Sequence, residues 1–304
     1  MERIVECVPN FSEGRDRTKV HTLMDAVQAV GGVVLLDDTM DRDHHRSVLT
    51  FAGAPEAVAE AAFQAVKVAA SLIDLRHHHG VHPRVGATDV VPFVPVRDVM
   101  MSECVALARH LGARIGGELG IPVFLYERAA SRPDRAPLEA VRRGGLSGLA
   151  ERMKHSAWHP DYGPSTLHET AGATVVGARP PLIAFNVNLD TEDIDVARAI
   201  AKRIRASSGG LPSVKAIGVS LASRRLTQVS MNLTNYEETP VQVAFEAVRR
   251  ETERQGVAIA ESELVGLIPE AALAGTSPQA IHLAGFTPSQ ILEVRLAQAL
   301  RKSE

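Results

Sequence analysis

The strongest constraint on what this chain can fold into is a change of hydrophobic period that recurs along it. Short apolar runs give way to longer stretches whose apolar positions repeat every three or four residues, and then the pattern starts again. "RIVECVPNF" reads as a strand running into the polar loop "NFSEGRD". "RTKVHTLMDAVQAVGG" carries Val20, Leu23, Met24, Val27 and Val30 at helical spacing and is expected to stop at Gly31 and Gly32. "VVLLDD" and "RSVLTFAG" are short strands, and "PEAVAEAAFQAVKVAASLIDL" is a long helix with Pro55 in its first turn. "DVVPFVPV" is extended, "MSECVALARHLGARIGGEL" is a helix with Ser102 as its N-cap, and "IPVFLYE" is one more strand. Alternation of this kind defines an α/β lobe.

From about Arg132 to Arg179 the texture changes. "SRPDRAPLEAVRRGGLSGLAERM" is a short helical piece between Pro/Gly breaks, and "HPDYGPSTLHETAGATVVGARPP" is dense in Gly, Pro, Ser and Thr. A polar stretch this long inside a compact enzyme reads as a binding loop or linker. Strand and helix then resume. "LIAFNVNL" is a strand, and "TEDIDVARAIAKRIRASSGG" is an amphipathic helix capped by Thr191. "VKAIGVSLASRRLTQVSMNLT" is a hairpin turning at Ser223 to Arg225, and "TPVQVAFEAVRRETERQG" is a helix. A last strand near "AIAESELVGLIP" and a final helix, "SQILEVRLAQALR", complete the second lobe. The 304 residues are enough for two cores, and the lobes are placed at 1–179 and 180–304. A weak internal echo links them: "VLTF", a proline, then "AFQAV" (Ala62 to Val66) in the first, and "VSMNL", a proline, then "AFEAV" (Ala244 to Val248) in the second. The expected fold class is α/β (α+β), with two subdomains, each a mixed β-sheet covered by helices.

Composition narrows the partners. A net charge of -3 gives no global attraction to nucleic acid or to an anionic membrane, so neither is expected, and any anion site must be local. Cys7 and Cys104 are too few for a disulfide framework and sit in apolar surroundings, as buried free thiols do. The start lacks the apolar core of a signal peptide, and nothing approaches the roughly 18 apolar residues of a membrane span. A reducing cytoplasm is the expected location.

The chemistry-bearing stretch is "IDLRHHHGVHPRVGATDVVPF", with His77, His78, His79 and His82 close together. A metal nest is one reading, with His78 and His82 at helical spacing, but Gly80 and Pro83 argue against a helix there. His44 and His45 beside Asp41 and Asp43 form a second possible set. No metal is expected. No G-x-G-x-x-G follows a strand, and neither a P-loop nor a G-x-S-x-G elbow occurs. What remains is a single imidazole in "GVHPR": Gly80 permits close backbone approach, Pro83 fixes the chain after His82, and such a group suits proton transfer near neutral pH. A histidine that only satisfies a turn is the structural alternative.

"VECVPNFSEGRD", "DLRHHHGVHPRVGATDVVPFVP", "PDYGPSTLHETAGATVVGARPPLIAFNVNL" and "QVSMNLTNYEETP…ESELVGLIP" together resemble the folate-dependent formiminotransferases, the glutamate formimidoyltransferase family, over nearly the whole chain. The resemblance implies transfer of a formimidoyl group between N-formimidoyl-L-glutamate and tetrahydrofolate in histidine degradation. Tetrahydrofolate is then a co-substrate of one-carbon metabolism. It further implies two formiminotransferase subdomains, 1–179 and 180–304, whose sheets face across a substrate tunnel, in a cytoplasmic homodimer. No cyclodeaminase domain is expected beyond Glu304, so the resemblance is to the monofunctional form. His82 maps onto the catalytic base, and Gly163, Pro164, Ser165, Thr166, Leu167, His168, Glu169, Thr170, Ala171 and Gly172 map onto the folate-binding segment. The family commonly carries an acid where Thr39 stands here; of the nearby acids, Asp38 is the candidate to assist His82. Substrate carboxylates call for local arginines, so Arg84 and Arg46 are candidate contacts, with Asn10 and Asn186 as amide contacts. The alternatives are a non-catalytic folate-binding homologue, which the Thr39 departure favours, or a related transferase using formiminoglycine or a formyl donor.

Overall fold

In the first strands, side-chain alternation decides which face meets the helices. Val5 and Cys7 of Ile4–Cys7 (β1) and Phe11 of Asn10–Phe11 (β2) are fully buried in one apolar cluster, which leaves Glu6 and Asn10 on the opposite face. The computed structural model describes residues 3–78 and 83–303, and the chain divides into two compact units that meet in sequence at Arg179/Pro180.

In the first unit, β1 and β2 share one position in the sheet, interrupted at Val8–Pro9, between Arg46–Gly53 (β4) and Thr88–Arg97 (β5). Val33–Asp41 (β3) flanks β4 on its other side, also antiparallel. Beyond β5 come Thr174–Ala178 (β7) and Val123–Glu127 (β6), both parallel to their neighbours, so this sheet is mixed, as expected. Arg17–Gln28 (α1), Pro55–Leu72 (α2) and Met101–Glu118 (α3) pack on one face, where Val20, Leu23, Phe63, Val66, Leu111 and Ile115 are buried. Leu138–Arg142 (α4) and Gly145–Met153 (α5) cover part of the other face, with Val141, Leu149 and Met153 against Val90, Phe124 and Val175.

The second unit is Ile183–Leu189 (β8), Ile194–Ile204 (α6), Val214–Leu221 (β9), Leu226–Leu233 (β10), Val241–Gln255 (α7) and Ile259–Val265 (β11), followed by Leu292–Ser303 (α8). Its sheet order is β11-β8-β10-β9, antiparallel throughout rather than mixed. β10 inserts between β8 and β9, the two strands that α6 connects, so the parallel pair is split. This is a βαββαβ, ferredoxin-like arrangement. The first unit builds the same one from β1, α1, β3, β4, α2 and β5, in the order β5-β1-β4-β3, and then extends it. The sequence echo thus falls on equivalent helices: Phe63 in α2 and Phe245 in α7 are both buried.

Several local readings are corrected. α1 ends at Gln28, short of the glycines, with Ala29 as its C-cap. Ser102 lies inside α3; the cap position is Met100, whose N–H donates to the Glu103 side chain at 2.8 Å. Asp193, rather than Thr191, caps α6, accepting from the Asp195 N–H at 3.0 Å. The end of the Gly/Pro-dense stretch is not loop: "TVVGA" is β7, buried along its whole length between two parallel neighbours, the environment in which a strand loses its alternation. Cys7 and Cys104 are buried free thiols.

Candidate active site

Two segments far apart in sequence meet in the first unit. After α2, Asp74 caps a 3-10 turn at Leu75–His77, and His78 leaves it extended. The Leu75 N–H donates to the Thr170 carbonyl at 2.9 Å, and Arg76 Nη1 reaches the Glu169 carboxylate at 2.6 Å. On the far side of the histidine loop, the Ala87 N–H donates to the Ala171 carbonyl and the Ala173 N–H to the Val85 carbonyl, at 2.9 and 2.8 Å. Gly86 and Gly172 face each other in this seam. A Cβ on Gly86 would lie 1.9 Å from the Ala173 carbonyl oxygen; Gly172, at φ +69°, would place one 2.4 Å from that of Val85. The segment predicted to bind folate is thereby fixed to both flanks of the histidine loop. His79, Gly80, Val81 and the expected base, His82, lie outside the described residues.

The rest of the segment expected to bind folate is pinned at its start. Asp161 accepts from the Leu125 N–H at 2.7 Å and from Arg135 Nη2 at 3.2 Å, and the Val123 N–H donates to the Tyr162 carbonyl. Arg135 is 4% exposed, so this is a buried pair. Pro164, Ser165 and Thr166 then run exposed, and Leu167 is half-buried. The chain closes on itself between His168 and Gly172, which exchange both backbone bonds at 2.9 and 3.0 Å. His168 Nδ1 accepts from the Ala171 and Thr170 N–H groups at 3.1 and 3.3 Å, so a neutral ring carries its proton on Nε2.

A second group surrounds the β3–β4 turn. Asp41 accepts from the His44 N–H at 2.7 Å, and His45 turns the chain at φ +50°. Arg84 forks onto the turn, Nη1 to the His45 carbonyl and Nη2 to that of His44, at 3.0 and 2.6 Å. The buried guanidinium of Arg46 opposes Asp41 in register. Burial, and then the nearby Arg142, lower its pKa to about 10 against the pull of Asp89 and Asp41. Arg142 of α4 pairs with Asp89, whose other oxygen accepts from the Val85 N–H at 2.7 Å. Three guanidinium groups thus share a neighbourhood with Asp89 and Asp41, a locally cationic environment in an acidic chain. Asn10 lies on the same sheet face as Arg46; its Nδ2 donates to the Val8 carbonyl at 3.1 Å.

Asp38 does not join this group. A register shift between Leu35 and Asp37 turns it to the helix side, where its carboxylate pairs with Arg17 of α1 at 2.6 Å. Asn186 belongs to β8 of the other unit and is 7% exposed.

Glu13, in the first loop, was not singled out by sequence, although "NFSEGRD" places it beside a glycine before a helix. It is 2% exposed. Burial opposes its charge, but the N–H groups of Asp16 and Arg15 and the Lys19 ammonium outweigh burial and hold its pKa at about 2. His45 Nε2 lies 3.3 Å from its Oε1, and His78 stacks on His45, ring centroids 3.6 Å apart and 15° from parallel. Burial, and then the neighbouring His45, depress His78 to about 4, so its ring is neutral at pH 7. Among the described residues Glu13, His45 and His78 are the group whose donor atoms could hold a metal, all within 4.8 Å of one another. Face-to-face rings, however, direct their in-plane lone pairs along nearly parallel lines rather than to one point, and Glu13 already accepts from two backbone N–H groups and the Lys19 ammonium.

An α/β protein of two βαββαβ units, with a histidine-bearing loop stitched to a polar binding segment beside clustered arginines, has the equipment of a group transferase acting on anionic substrates. The chain belongs to the formiminotransferase family. Residues 4–179 match the formiminotransferase domain's N-terminal subdomain, and residues 184–282 match the formiminotransferase domain. It is 49% identical to a glutamate formimidoyltransferase of Thermoplasma acidophilum, over 97% of this chain and 98% of that protein. It is 48% identical to one of Streptococcus pyogenes, over 97% and 99%. A formimidoyltransferase-cyclodeaminase of Dictyostelium discoideum is 43% identical; 98% of this chain aligns with it, spanning 56% of that relative. Among the described residues no helix is long and apolar enough to cross a membrane.

Proposed function

We propose that this chain moves the formimidoyl group between N-formimidoyl-L-glutamate and tetrahydrofolate, giving 5-formimidoyltetrahydrofolate and L-glutamate. The observation that supports this assignment to these residues is the seam of backbone bonds tying 168–173 to both flanks of the histidine loop. The N5 amine of tetrahydrofolate attacks the formimidoyl carbon and forms a tetrahedral adduct. His82 takes the N5 proton and returns it to the glutamate nitrogen as the C–N bond to glutamate breaks. One imidazole near its ordinary pKa of about 6.5 performs both transfers, typically contributing on the order of a hundredfold to ten-thousandfold. Further rate comes from holding two substrates in one place.

Gly163 to Gly172 bind the folate, with the exposed Pro164–Thr166 run and the His168 Nε2–H available to it. Arg84 and Arg46 are assigned to substrate carboxylates, Arg46 as the deeper charge. Asn10 shares their sheet face, and Asn186 is a candidate amide contact in the second unit. Asp38, turned towards Arg17, is not given a role in proton transfer. The transfer calls for no metal, because each step moves a proton or a carbon–nitrogen bond. We further propose that the enzyme serves histidine breakdown as a cytoplasmic homodimer with subdomains at 1–179 and 180–304. A steady-state assay with formiminoglutamate and tetrahydrofolate tests the activity; size-exclusion with light scattering tests the dimer.

A further inference from the structure

The second unit carries a polar cluster that, Asn186 aside, the transfer chemistry above leaves without a task. One face of its sheet packs Phe185, Val187, Leu189, Val229 and Met231 against α6 and α7. On the opposite face, register lines up Gln228 with Asn188 and Asn188 with Glu261, and Ser230 with Asn186 and Asn186 with Glu263. Asn188 is 0% exposed and Gln228 is 1% exposed, whereas the Glu261 and Glu263 carboxylates remain accessible.

Their hydrogen bonds form one network with a donor missing. Gln228 Nε2 donates to Asn188 Oδ1 at 2.9 Å and to Glu263 Oε2 at 3.3 Å. Asn188 Nδ2 donates to Glu263 Oε1 at 2.6 Å and to Glu261 Oε1 at 3.3 Å. The guanidinium of Arg224, on the β9–β10 turn, pairs with both glutamates. Gln228 Oε1 is buried with no hydrogen-bond partner among the described residues. Turning the amide over would not help: Oε1 would then face two oxygens that need donors. A buried acceptor without a donor is destabilising, and a donor brought to it relieves that cost.

The charge and shape of the cluster say what would supply that donor. Two carboxylates against one guanidinium leave a net negative charge, which selects an N–H-bearing, cationic or strongly donating group. Arg224 shows the shape that fits: a planar N–C–N unit bridging Glu261 and Glu263. We propose that Asn188, Gln228, Glu261 and Glu263 form a recognition site for a planar amidine edge. That chemistry occurs in the formimidoyl group of formiminoglutamate and in the 2-amino-pyrimidinone edge of the tetrahydrofolate pterin. The assignment rests on the transfer reaction proposed above.

The test is calorimetric titration of wild type, Gln228→Leu and the Glu261→Gln/Glu263→Gln double variant. Each is titrated with N-formimidoyl-L-glutamate and, separately, with tetrahydrofolate under anaerobic conditions. A loss of tenfold or more in affinity for one of the two, in variants with wild-type circular dichroism, supports the site and identifies which substrate supplies the edge. Wild type titrated with N-formyl-L-glutamate needs no substitution: if the donor arm is the sensitive one, this oxygen analogue binds at least tenfold more weakly than the formimidoyl compound. Unchanged affinities for both ligands in both variants overturn the inference and leave a water-satisfied structural cluster. Failure of the transfer reading is a separate result: wild type then binds neither substrate and shows no turnover.

Discussion

At the scale of single residues, the least replaceable charge is Glu13. Its carboxylate serves two backbone N–H groups, Lys19 and His45 from a site 2% open to solvent. Glu13→Gln keeps the shape and removes the charge, so we expect a loss on the order of 1–3 kcal/mol in urea unfolding at pH 7. The acid limb follows from linkage. With a folded pKa of about 2 against 4.5, Glu13 stabilises the fold fully above about pH 4.5, and that contribution fades as pH falls towards 2. His78 acts in an adjoining window. Its folded pKa of about 4 lies below 6.5, so the unfolded chain takes up the proton first and stability falls from about pH 6.5 down to 4. His78→Asn should flatten urea midpoints between those pH values; an unchanged slope would show that the ring is not held neutral. Residue-scale legibility was uneven for a physical reason. Strict alternation from Leu35 puts Asp38 on the face of Arg46, but the register shift between Leu35 and Asp37 reverses it, and no sequence period announces a bulge.

At the scale of elements, the seam between 85–87 and 170–173 holds the binding segment to the histidine loop. Gly86→Ala forces a methyl group into the Ala173 carbonyl. We expect at least about 2 kcal/mol of destabilisation by thermal or urea unfolding and a parallel loss of activity. Asp161→Ala acts more selectively, because Asp161 and Arg135 anchor the start of the segment proposed to bind folate away from the histidine loop. It should raise the KM for tetrahydrofolate severalfold while the KM for formiminoglutamate stays near wild type; equal rises in both would show general loosening instead. Most strands and helices were legible from period alone: "LIAFNVNL" sends Ile183, Phe185, Val187 and Leu189 to the core, and "TPVQVAFEAVRRETERQG" buries Val241, Ala244, Phe245 and Val248 at helical spacing. β7 was not. A five-residue strand buried on both faces has no alternation to read, and it follows a run of glycine and proline that announces a loop. The two helix caps each shifted by two residues: Ser102 and Thr191 suit a cap by residue type, but the chain enters its helices at Met100 and Asp193.

At the scale of the whole molecule, two βαββαβ units stand one after the other, and the echo of "AFQAV" and "AFEAV" marks their common second helix. Equivalent positions should carry equivalent weight. Phe63→Ala and Phe245→Ala are each expected to cost roughly 3–5 kcal/mol, read from the unfolding of purified variants. The units differ in what they add. The first extends its sheet by β7 and β6 and bears the histidine loop, the arginines and the segment proposed to bind folate; the second keeps four strands and a row of buried amides beside accessible carboxylates. The account turns on proton transfer by His82 between N5 of tetrahydrofolate and the departing glutamate nitrogen. The most direct measurement is formimidoyl transfer by wild type and His82→Ala at saturating substrates, with tetrahydrofolate binding measured on the same preparations. The account expects turnover to fall on the order of a hundredfold to ten-thousandfold while folate affinity stays near wild type. His82→Ala turning over at the wild-type rate would contradict it.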